Sequence, residues 1–175
     1  MAVHGERGGR TPIDREQAPG RCPECGAPAQ PQSCEELFHT VLALDHSRRP
    51  PWGPLHGVTV SCFLLQHPSR LPVSERVRSW TILHTYLNEG LSATSRLTER
   101  ARRANSHRHR GAALPDLSPA APAPSGTSSP TVFGVTIADV AQDGTFPADG
   151  FPERVIAWAK ATVTAWRDHE GRPGH

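Results

Sequence analysis

Lysine is nearly absent from this chain of 175 residues, with Lys160 standing alone against 18 arginines. Together with 18 prolines, 15 glycines and abundant alanine, that bias reads as the mark of a GC-rich genome, so a single arginine carries little functional information. Hydrophobic residues are scarce too, at 36%, which leaves part of the chain outside any packed core. No apolar run is long. Stretches such as Val58 to Leu65 fall far short of the roughly 20 residues that span a bilayer. The opening MAVHGERGGRTPIDREQAPGR has no apolar centre and does not read as a secretory signal. With no export route expected, the four cysteines read as reduced thiols or metal ligands, and the expected location is cytoplasmic with no membrane partner. A net charge of +2 is too small for a general nucleic-acid footprint.

The most informative stretch is Cys22-Pro-Glu-Cys25-Gly26, a compact turn of the kind that opens a tetrahedral zinc site. A bare solvent-exposed turn and a redox CxxC are the other readings, but the redox form precedes a helix in a β-containing fold, and no such pattern follows here. Ser33 and Glu36 form an S-x-x-E capping box for a first helix from Cys34 to about His46. The stretch Arg48 to Pro54 reads as a stiff connection. A second helix is expected over 56–67, closed by Pro68, and a third is capped by Ser74 and stopped by Gly90. Val77, Trp80, Leu83, His84 and Leu87 form the third helix's inner stripe. A fourth runs from Ser92 to about Ala104.

Residues 1–20 read as a mobile arm, 21–104 as a zinc-knuckle helical core and 105–130 as a Pro/Ala-rich flexible linker. Residues 131–168 read as an extended segment over 131–140 and a C-terminal helix, with a tail at 169–175. Pro152 suits that helix's first turn, and the stripe Val155, Trp158, Ala159, Thr162 and Trp166 returns it to the core. The expected fold class is mainly α: a small helical bundle carrying an N-terminal knuckle.

The order of these landmarks resembles an uncharacterised bacterial family, domain-of-unknown-function family 5946 (DUF5946). The matching pieces are CPECG, SCEELFHTVLALD, LHGVTVSCFLLQHP, the helix with LHTYLNEGL, and TIADV before the tryptophan-bearing helix. Two positions depart from the family's pattern: Asp45 stands where Glu is favoured, and Gly57 where a larger residue is common. The resemblance implies an actinobacterial source and brings no activity with it.

Geometry narrows the remaining metal ligands. At about 1.5 Å per residue, His56 and His67 lie about 16 Å apart along one helix, so both cannot bind one ion. Antiparallel packing of the first two helices puts Cys34 beside His67, within reach of the knuckle. The expected zinc ligands are Cys22, Cys25, Cys34 and His67, with Cys62 in reserve. Plainer readings stand beside this one: Cys34 as a metal-free thiol at a helix start, His67 as a partner of the last carbonyls, Cys62 as a core residue.

The same topology places Asp45 near His56, and His84, about 15 Å along its helix, approaches that end. These three are candidates for a polar pocket able to bind a catalytic metal or run acid–base chemistry. The alternative is a buried His84 with Asp45 simply fixing His56. No G-x-S-x-G, P-loop or HExxH motif accompanies them. The arginine run Arg96, Arg100, Arg102, Arg103, Arg108 and Arg110 contains no aromatic residue for base stacking and reads as a solvated face rather than a nucleic-acid site. The leading expectation is a zinc-stabilised protein that binds a protein or small-molecule partner. A hydrolase or transferase using Asp45, His56 and His84, and a nucleic-acid binder using Arg96 to Arg110, are the alternatives.

Overall fold

A computed structural model describes residues 20–29, 31–104, 122–124 and 128–171. It is mainly helical, with six α-helices and no strand among the described residues: α1 (Cys34–His46), α2 (Trp52–Gln66), α3 (Val73–Glu89), α4 (Leu91–Ala104), α5 (Ile137–Ala141) and α6 (Phe151–Glu170). No described helix is long and apolar enough to cross a membrane.

The Ser33 box forms as expected: the Glu36 N–H donates to Ser33 Oγ at 3.3 Å, and the Ser33 N–H donates to Glu36 Oε2 at 2.8 Å. Other boundaries move. Helix α2 begins at Trp52, inside the stretch expected to be a connection. Pro54 then sits at the third helical position, where the missing N–H would have had no helical acceptor anyway, so the proline is no barrier. Helix α3 begins at Val73, with Pro72 rather than Ser74 at the cap position. Val77 falls outside the inner stripe and is 38% exposed.

The segment expected to be extended over 131–140 turns into α5 instead. Thr136 and Asp139 form a second capping box, with the Thr136 N–H donating to Asp139 Oδ2 at 2.7 Å, which closes the N-terminus of this five-residue helix. Of the expected linker, 105–121 and 125–127 lie outside the described residues, as do 1–19 of the arm and 172–175 of the tail. Pro124 and Pro130 are buried, so the linker's far end packs on the protein. The tail's first residues, 169–170, continue α6.

Helices α1 and α2 are antiparallel: Asp45 at the end of α1 meets His56 and Thr59 near the start of α2, and Phe38 stacks on Phe63 at 3.8 Å. Helix α6 runs beside α2 in the same direction. Trp52 Nε1 donates to the Phe146 carbonyl at 2.9 Å at one end, and Trp166 Nε1 donates to the Leu65 carbonyl at 3.0 Å at the other. Helix α3 closes the other side, with the Arg76 guanidinium 5.1 Å from the Trp166 ring centre. Trp80, Trp158 and Trp166 are all within 1% of full burial and form the centre of the core.

Candidate metal centre

The knuckle is closed by its own backbone. The Gly26 N–H donates to the Cys22 carbonyl at 2.9 Å, and the Cys22 N–H donates to the Ala27 carbonyl at 2.8 Å. Gly26 has φ +77°, a backbone conformation that favours glycine. Glu24, between the two cysteines, receives the Ser69 N–H and the Ser69 hydroxyl, each at 2.9 Å. That carboxylate ties the knuckle to the 3-10 turn Pro68–Arg70, immediately after His67. Arg70 then reaches Glu35 in the first turn of α1 with paired bonds of 3.0 and 2.9 Å.

These ties converge on one point. Cys22, Cys25, Cys34 and His67 present four ligand atoms that all lie within 4.8 Å of one another, and the four can hold a metal ion. Cys25 Sγ and Cys34 Sγ are 3.6 Å apart, and Cys22 Sγ and His67 Nε2 are also 3.6 Å apart. A tetrahedral zinc with bonds of about 2.3 Å to sulfur and 2.0 to 2.1 Å to nitrogen would set these edges at about 3.8 and 3.6 Å. The two edges observed match such a site, and the donor set suits the ion.

His67 is oriented for the purpose. Its Nδ1 lies 2.8 Å from the Phe63 carbonyl and donates to it, which leaves the Nε2 lone pair directed at Cys22. Its ring also stacks on Phe63 at 4.1 Å. Cys25, Cys34 and His67 are buried and Cys22 is half-buried. The Cys34 sulfur alongside and then burial hold the Cys25 thiol up at about 12. Cys62, the reserve, is outside this group: it is fully buried in α2, and burial pushes its thiol well above the ordinary range.

At the other end of α1 and α2, Asp45 and His56 come together at 3.2 Å. His84 does not join them. Its ring packs at a tilt against Trp80, one turn earlier on α3, with centroids 4.6 Å apart, and its Nε2 has no hydrogen-bond partner. Burial, with the Arg167 charge nearby, pushes the His84 imidazole down. The expected three-residue pocket is thus reduced to a pair. Among the described residues the cysteine–histidine set is the one group of three or more metal-type ligands. Of the arginine run, Arg108 and Arg110 lie outside the described residues, while Arg102 and Arg103 both pair with Glu99 at 3.0 Å.

Sequence reasoning missed Glu24, the Arg70–Glu35 pair and Thr59, whose hydroxyl donates to Asp45 at 3.0 Å. Thr59 had a signal, three residues from His56 on the same helical face. Glu24 and Arg70 had none, because their partners are set by the fold. No curated protein and no solved structure matches the chain. Residues 20–167 match the model of the family of unknown function DUF5946, and the chain belongs to that family.

Proposed function

We propose that Cys22, Cys25, Cys34 and His67 hold a structural zinc ion, and that the helical domain it braces acts by binding a partner in a reducing, cytoplasmic setting. The observation that carries this reading is the convergence of four donor atoms from three separate segments to within 4.8 Å. Three thiolates and one imidazole suit zinc, and four protein ligands complete its tetrahedron, leaving no open position for a substrate. The metal's contribution is then to folding, not to chemistry. Thiols that bind zinc must stay reduced, which supports an intracellular compartment.

The binding half of the reading rests on an open cleft of about 570 Å³ between α2, α3 and α6, lined by Pro51, Leu55, Tyr86, Leu87, Leu91 and Ile156 among others. Ile156 is 38% exposed there.

The test is elemental analysis of protein purified without chelator, paired with thiol titration before and after metal removal. About one zinc per chain, with three thiols becoming reactive on chelation, is the expected result. A metal-free protein whose Cys22, Cys25 and Cys34 react freely would overturn it.

A further inference from the structure

A second site stands at the far end of α2, about 16 Å along the helix from His67 and independent of the metal reading. Asp45 has a fully enclosed side chain, while the His56 side chain is 56% exposed above it. The Thr59 hydroxyl donates to Asp45 Oδ2 at 3.0 Å, and His56 Nδ1 lies 3.2 Å from the same oxygen. With Nδ1–H donating to the carboxylate, the imidazole is held in one orientation and its Nε2 is free for another partner.

The pair borders an open cleft of about 680 Å³, also lined by Leu42, His46, Arg48 and Pro54. Its charge is legible. The one carboxylate lining it is engaged by His56, and the Asp45 hydrogen bond raises the His56 pKa and favours the imidazolium. Arg48 adds a permanent charge. The turn that carries it is packed tightly on α2: a Cβ at Gly53 would lie 2.5 Å from Arg48 Cα. Arg48 itself has φ +56°, a left-handed backbone in a residue other than glycine. A permanent cation and an imidazole biased toward its protonated form, beside the apolar surfaces of Leu42 and Pro54, suit an anion with an organic body.

We propose that this cleft binds a small organic oxyanion, a phosphate ester or a carboxylate, with Arg48 and the Nε2–H of protonated His56 as its donors and Asp45 as the positioning residue beneath His56. Charge-assisted hydrogen bonds of this kind are about twice as strong as neutral ones, and either donor alone would leave the anion half-satisfied.

The test uses the full-length protein as purified, with long-range proton–nitrogen NMR of the histidine rings. Inorganic phosphate and acetate are titrated separately, with chloride at matched ionic strength as the control. The expected result is a saturable shift at His56 Nε2 with phosphate or acetate, and whichever ion produces it identifies the ligand class. Calorimetric affinity for that ion should fall about tenfold or more in Arg48→Gln and in His56→Gln. In Asp45→Asn, the carboxylate that favours the imidazolium is gone, so the His56 nitrogens should report a larger neutral fraction at the same pH and the affinity should fall with it. Arg48→Gln and His56→Gln lie at exposed positions and decide the matter if Asp45→Asn fails to fold. A shift that chloride reproduces, no saturation with either anion, or an affinity untouched in both variants would overturn the proposal.

Discussion

Two glycines one turn apart in α2 do opposite work. A side chain at Gly53 would place its Cβ 2.5 Å from Arg48 Cα and 2.6 Å from the Arg48 carbonyl carbon, and backbone atoms cannot swing aside. At Gly57 the nearest atom is Thr98 Cγ2 at 3.6 Å, an ordinary contact. Gly53→Ala should therefore destabilise the fold by about 1–3 kcal/mol through forced backbone shifts. Gly57→Ala should stabilise it by about 0.5–1 kcal/mol, because glycine inside a helix loses more freedom on folding than alanine. Urea unfolding measures both as opposite shifts of the midpoint at unchanged slope. A Gly53→Ala variant as stable as the parent would mean the 47–51 turn is free to move away from α2. The anion cleft would then lose the tight packing that presents Arg48.

At the scale of elements, the cap on α1 is where secondary structure and the candidate metal centre meet. Ser33 caps the helix whose first residue, Cys34, is a ligand candidate, so the box fixes both the helix start and the position of that sulfur. Ser33→Ala should cost about 1 kcal/mol of stability. It should also speed the release of metal to a competing chelator, which a purely helical defect remote from Cys34 would not do. Time-resolved zinc transfer to a chromogenic chelator reads the second effect.

The same box explains why this end of the molecule was legible. S-x-x-E marks where α1 starts, QHP marks where α2 stops, and antiparallel packing of neighbours puts those two marks together. Axial position along a helix follows from residue count alone. Azimuth does not. His84 is one turn beyond Trp80, so both point into the same interface, and its height along α3 gave no information about whether it faced His56. The start of α2 was hidden by Pro54, whose effect depends on being in the first turn, and α5 by a segment whose apolar content outweighed its Thr136–Asp139 cap. The facing of His84 is decided by tertiary placement, while the starts of α2 and α5 turn on local first-turn and capping rules.

Across the whole molecule, the metal candidates and the tryptophan core hold different parts of the chain. Cys22, Cys25, Cys34 and His67 join the knuckle, the first turn of α1 and the end of α2. The core around Trp80, Trp158 and Trp166 joins α2, α3 and α6 through buried contacts and the Trp166–Leu65 hydrogen bond. A small zinc finger has no such second core and unfolds without its metal, since apparent binding of about 10–16 kcal/mol is its folding energy. Here each buried aromatic removed would itself cost about 3–5 kcal/mol, so the α2–α3–α6 unit has its own source of stability. Chelation should accordingly strip the knuckle first. Amide hydrogen exchange after metal removal should show protection lost at Cys22 to Ala27 and at the first turn of α1, while the amides of 155–166 in α6 keep theirs. The Glu24–Ser69 and Arg70–Glu35 ties are too exposed to hold the knuckle alone, because surface pairs contribute at most about 1 kcal/mol each. If α6 instead loses protection at the same rate as the knuckle, the two regions form one cooperative unit. The zinc would then be a condition of the entire fold rather than a brace on one end of it.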